Sequence, residues 1–142
     1  MVKKGCPVIL LVEDDRGDQK LTRKAFERIG IADGLKITAT GEQALEYLED
    51  ASTPEPDLIL LDLNMPGMGG KEFLKNIKQN EKFRTIPVVI LTVSDTESDV
   101  EECYKLQAAG YIQKVISAED LKEVIEKVTD YWFETSSLIR QT

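Results

Sequence analysis

Four places in this chain put reactive side chains directly after an apolar run. Glu13, Asp14 and Asp15 follow residues 8–12; Asp62, with Asn64 two residues on, follows 58–61; Thr92, Val93 and Ser94 follow the run that begins at Val88; Lys114 follows 111–113. Carboxylates gathered within a few ångströms repel one another, so such a group needs a cation or raised pKa values. Hard oxygen ligands with room for water suit Mg2+, with Mn2+ as a substitute. A carboxylate beside that metal can attack an electrophilic phosphorus and form an acyl phosphate. The metal, the Thr92 hydroxyl and the Lys114 ammonium would then stabilise the equatorial oxygens of the phosphoryl group in transfer. The chain contains no histidine, which excludes Ser-His-Asp and Cys-His catalysis and any histidine-ligated metal. Acyl-phosphate chemistry needs none.

Taken singly, each residue has an ordinary explanation. Asp15 or Asp18 can cap the helix that follows; Asp62 can sit in a turn, Thr92 can cap a helix, and Lys114 can be a solvated charge. Residues 63–70, Leu-Asn-Met-Pro-Gly-Met-Gly-Gly, are glycine-rich but lack the GxxxxGK spacing of a phosphate-cradling loop. The chemistry therefore depends on elements that bring these positions together.

Those elements are legible. Strands are expected at 8–12, 35–39, 58–61, 88–91 and 111–113, alternating with helices at about 16–29, 41–50, 70–80, 96–108 and 118–133. Continuous apolar runs mark the first, third and fourth strands as central, and Lys36 and Thr38 mark the second as an edge. Thr40 with Gln43, and Ser117 with Asp120, read as helix caps. Leu121, Val124, Ile125, Val128 and Trp132 recur at helical spacing. Strict alternation predicts an α/β fold with a parallel sheet covered on both faces. In such a sheet the functional crevice lies beyond the carboxyl ends of the strands, where Glu13, Asp14, Asp62, Thr92 and Lys114 all fall.

The 142-residue length and 16.0 kDa mass fit one domain. A net charge of -8 argues against a nucleic-acid surface, and no apolar run approaches a bilayer span. Cys6 and Cys103 form no CxxC pair and suggest reduced thiols in a cytoplasmic protein, with no zinc site.

Residues 9–15 (Ile-Leu-Leu-Val-Glu-Asp-Asp), 60–66 (Leu-Leu-Asp-Leu-Asn-Met-Pro), 90–92 (Ile-Leu-Thr) and 111–114 (Tyr-Ile-Gln-Lys) closely resemble the response-regulator receiver family of two-component systems. The resemblance spans about 7–133, leaving 134–142 as a tail open to a partner or a second copy. It implies a flavodoxin-like, CheY-like three-layer sandwich with strand order 2-1-3-4-5. It implies Asp62 as phosphoacceptor, Glu13 and Asp14 as the acidic pair at Mg2+ rather than Asp14 and Asp15, and the Asn64 backbone carbonyl as a further ligand. It implies Thr92 as a switch hydroxyl and Tyr111 as the aromatic that turns inward with it, reshaping the face of the fourth helix, fifth strand and fifth helix.

Two departures stand out. The family usually follows the lysine with proline, often in cis; here Val115 follows Lys114, and a cis bond before a non-proline residue costs about 2.5 to 4 kcal/mol. Val93 is bulkier than the small residue usual after the switch hydroxyl, and would narrow access to Asp62. Residues 13–18 and the aromatic stretch Tyr131, Trp132 and Phe133 resemble stand-alone regulators paired with bacterial phytochrome-type kinases. That implies a sensor histidine kinase as partner and a homodimer through the fourth and fifth helices, with Trp132 and Phe133 either anchoring it or only covering the core. Two other readings are a phosphorylation-independent scaffold and a phosphohydrolase of the haloacid-dehalogenase type. The second needs an Asp where this chain has Asn64.

Overall fold

Strand sequences that are apolar at every position belong where both faces of a sheet are covered. The computed structural model, which describes residues 7–93, 96–114 and 117–135, places them there. The strands are β1 (Ile9–Val12), β2 (Leu35–Thr38), β3 (Leu58–Leu61), β4 (Val88–Thr92) and β5 (Gly110–Gln113). All pair in parallel, in the order β2-β1-β3-β4-β5. Every residue of β1, β3 and β4 is buried, whereas β2 and β5, at the edges, are mostly half-buried. This is the architecture and order that the sequence motifs imply.

Alternate side chains of each strand feed two cores. Leu10, Val12, Ile59, Leu61, Val88 and Ile90 pack with α2 (Gly41–Glu49), α3 (Gly70–Gln79) and α4 (Glu97–Lys105), through Ala44, Phe73, Leu74, Ile77 and Cys103. Ile9, Leu11, Leu58, Leu60, Val89 and Leu91 pack on the other face with α1 (Arg16–Arg28) and α5 (Ala118–Asp130), through Ala25, Phe26, Leu121 and Ile125. Trp132 and Phe133 are half-buried against this second core. Their core-covering role is therefore realised.

Four helices start on side-chain caps. Asp15, Thr40, Thr96 and Ser117 each accept a hydrogen bond from the backbone N–H three residues on. At α2 the capping box is offset, because Gln43 Oε1 accepts from Ala39 N–H at 2.9 Å, one residue before the cap. Gly69, which caps α3, has no side chain to offer.

Several boundaries differ from expectation. The fourth helix, expected over 96–108, ends at Lys105, because Gln107 takes a left-handed φ of 73° and the Ala108 N–H turns back to the Cys103 carbonyl. The fifth, expected over 118–133, is α-helical only to Asp130 and ends in a π-helical turn, Tyr131–Thr135. Just before that turn, the Thr129 hydroxyl donates to the Ile125 and Glu126 carbonyls, a back-bonding pattern that bends helices. Ser94, Val115 and residues 136–142 of the expected tail lie outside the described residues, as does Cys6.

One glycine fixes how α3 approaches the sheet. A Cβ on Gly70 would stand 2.4 Å from the Asp62 carbonyl oxygen and 2.7 Å from the Leu63 Cα. The first turn of α3 is therefore laid directly on the backbone that carries Asp62. Gly70→Ala is expected to destabilise the protein by about 1–3 kcal/mol, as forced overpacking does, read as a lower urea midpoint with unchanged slope. A neutral result would mean that α3 shifts freely relative to Asp62.

Candidate functional site

Parallel register sets the site. Val12 pairs with Leu61, so Glu13 and Asp62 leave neighbouring strands at the same level. The Asp62 N–H donates to the Val12 carbonyl at 3.0 Å and the Glu13 N–H to the Thr38 carbonyl at 2.9 Å, extending the ladder past the last strand residues. Leu61 pairs with Ile90, and Thr92 with Gln113, which brings Thr92 and Lys114 to the same end of the sheet. The chain passes from β1 into α1 on one face and from β3 into α3 on the other, so the β1–β3 edge is a topological switch point.

Glu13, Asp14 and Asp62 each present one carboxylate oxygen there, and the three atoms lie within 4.8 Å of one another. Glu13 and Asp62 are only 2% and 5% exposed, while Asp14 is open to solvent. Burial, with a smaller push from the Asp62 charge, raises the Glu13 carboxyl to about 7 against the lowering effect of Lys114 and of a bond from the Asp15 N–H. Lys114 bonds through Nζ to both Glu13 Oε1 and, at 2.8 Å, Asp18 Oδ2. Burial works against its ammonium, but those two carboxylates outweigh it and hold the pKa above its usual value.

Among the described residues, two buried side-chain oxygens have no hydrogen-bond partner: Asp62 Oδ1 and Thr92 Oγ1. A buried, unsatisfied oxygen is costly and rare outside functional sites. Together with the carboxylate triangle, these atoms form a donor set that fits a divalent cation and leaves capacity for a further oxygen-rich group.

The remaining expected site residues divide. Asn64 is exposed, two residues beyond Asp62 on the way to α3. Tyr111 is half-buried against the core that holds Ile90 and Cys103. Val93 is 62% exposed. Asp15 lies beside the cluster but serves α1 as its cap. Asp18 is the partner that sequence reasoning missed. It reads only as a possible helix cap, and nothing local signals that it reaches Lys114, 96 residues away.

Comparison with known proteins agrees with this geometry. The profile of the response regulator receiver domain family matches residues 9–126. The chain is 39% identical to the probable methanogenesis regulatory protein FilR2 of Methanothrix harundinacea, over 88% of this chain and 83% of that protein. It is 38% identical to response regulator Rcp1 of Synechocystis, over 92% of each. A solved structure of the manganese-bound form of Rcp1 superposes with a TM-score of 0.83, at 39% identity, covering 93% of this chain and 98% of that one. The phosphorylated cyanobacterial phytochrome response regulator RcpA superposes with a TM-score of 0.88, at 33% identity, covering 95% and 99%. No helix among the described residues is long and apolar enough to cross a membrane.

If the acidic pair is Glu13 and Asp14, then Asp14→Asn and Asp62→Asn each weaken manganese binding, measured by calorimetry, by about tenfold or more, since lost supporting contacts alone cost 10–100-fold. Asp15→Asn, which preserves the cap, leaves affinity unchanged. A loss with Asp15→Asn and none with Glu13→Gln would move the pair to Asp14 and Asp15.

Proposed function

The chain belongs to the response regulator receiver family, and from that premise we propose that it takes a phosphoryl group from a sensor histidine kinase, or from a relay protein, onto Asp62. The family is a signalling domain rather than an enzyme. In this reading magnesium is held by Glu13, Asp14, Asp62 and the Asn64 backbone carbonyl, and when bound it offsets the carboxylate charge and the charge on the transferred group. A carboxylate oxygen of Asp62 bonds to phosphorus as the phosphorus–nitrogen bond of the donor phosphohistidine breaks, giving an acyl phosphate.

The observation that carries this is the pair of orphaned atoms, Asp62 Oδ1 and Thr92 Oγ1, at the ends of adjacent strands. The first supplies the acceptor carboxylate with an oxygen that no group among the described residues holds. The second supplies a hydroxyl whose hydrogen bond is unspent until a phosphoryl oxygen arrives. Lys114 completes the set by exchanging one of its two carboxylate partners, Glu13 or Asp18, for that oxygen.

Movement of Thr92 toward the phosphoryl group, followed by Tyr111, would alter the face of α4, β5 and α5 by a population shift of a few kcal/mol. That face is also where a homodimer would form. Tyr131, at the end of α5, is 54% exposed beside the half-buried Trp132. Likeness to Rcp1 and RcpA favours a phytochrome-type kinase as partner. The receiver unit runs over 7–133, with 134–142 as a tail, and output passes through protein partners rather than nucleic acid, in keeping with the net charge of -8. Asn64, where a haloacid-dehalogenase-type phosphohydrolase needs a second Asp, weighs against that chemistry.

Intact-mass measurement after incubation with acetyl phosphate and magnesium is expected to show one added phosphoryl group, absent with a chelator and absent in Asp62→Asn and Asp62→Ala. No gain in a protein that demonstrably binds magnesium would replace this reading with the scaffold.

A further inference from the structure

Beside the acidic cluster lies a cavity of about 440 Å³, and Asp14 belongs to both. Its rim is basic. Arg16, Lys20 and Arg23 line it from α1, spaced four and three residues apart, so they share one helix face over about 10 Å. None of the three pairs with a carboxylate among the described residues, although acidic residues outnumber basic ones 26 to 18 in the chain. All three are exposed. Across from them Ile37 and Ala39 give the cavity an apolar wall.

A protein of net charge -8 with a carboxylate triangle at its reactive end repels the anions that a phosphoacceptor must receive. Three cations that pair with no carboxylate among the described residues stand at the mouth of that end and oppose this repulsion locally. The volume is of the size that holds small molecules. We propose that this cavity is an entry site for small anionic phosphodonors of the acyl-phosphate class, with the phosphate drawn by Arg16, Lys20 and Arg23 and the acyl group against Ile37 and Ala39. The inference rests on Asp62 being the acceptor. In the reaction it serves, the bond between the acyl oxygen and phosphorus breaks, a carboxylate oxygen of Asp62 bonds to phosphorus, and the carboxylate of the donor leaves with the electron pair.

The test compares phosphorylation rates with acetyl phosphate, at saturating magnesium, for the wild type, for Arg16→Gln/Lys20→Gln/Arg23→Gln, and for the charge-preserving Arg16→Lys/Lys20→Arg/Arg23→Lys. At low salt the neutralised protein is expected to react about tenfold slower or more, the gap closing as added salt screens the field, while the charge-preserving protein keeps the wild-type rate. Equal rates at low salt overturn the proposal. So does a loss seen only with a histidine-phosphorylated protein as donor, which would assign the cations to a protein partner. Inorganic phosphate titrated into Asp62→Asn, followed by the amide shifts of α1 and β2, reads the anion site separately from the acceptor. Saturable shifts that vanish in the neutralised variant are expected. Shifts that do not saturate remove the site even if Asp62 is phosphorylated, and saturable shifts in a chain that never gains a phosphoryl group leave the anion site standing while removing Asp62 as acceptor.

Discussion

Carboxylate crowding at the carboxyl end of the sheet is the constraint to which the rest of this molecule answers. Glu13, Asp14 and Asp62 converge within 4.8 Å, and the buried cation beside them, Lys114, is already shared between Glu13 and Asp18. Like charges at that distance in a partly buried place repel strongly. The raised pKa of Glu13 records the burial half of that cost and part of the repulsion. In the proposed function a divalent cation relieves it, and a phosphoryl group would then meet Thr92 and Lys114.

Only a stiff frame can hold such a group together. Fully buried central strands, packed on both faces, fix the level at which each site residue leaves the sheet. Gly70 lets α3 lie on the Asp62 backbone, and the cap at Asp15 starts α1 immediately after the acidic pair. Beyond the site, Lys71 ties α3 to α4 by bonds to Asp99 and Glu102 at 2.5 and 2.8 Å. α4, part of the proposed switching face, is thereby linked to α3, whose first turn lies on the Asp62 backbone.

How much of this can be read from the chain follows from where the physics is local. β1, β3 and β4 are uniform apolar runs, and a sheet buried on both faces demands that, so their positions and centrality are plain. The acidic cluster of Glu13, Asp14 and Asp62 is legible because it comes straight after two such runs. The end of α4 is not, since Gln107 adopts a left-handed conformation without being glycine, and the alanines after it look helical. The close of α5 depends on Thr129 bonding back along its own helix. The bond from Asp18 to Lys114 is tertiary. It appears only once α1 and the end of β5 are side by side.

Stability in the presence and absence of magnesium tests the central claim most directly. If crowding of unneutralised carboxylates governs the site, then in chelator Asp62→Asn unfolds at higher urea than the wild type, because it removes a charge from the triangle. Adding magnesium should reverse the order, the wild type gaining by preferential binding to its folded form while the variant gains little. A variant no more stable than the wild type in chelator, with no reversal on adding magnesium, would contradict the account.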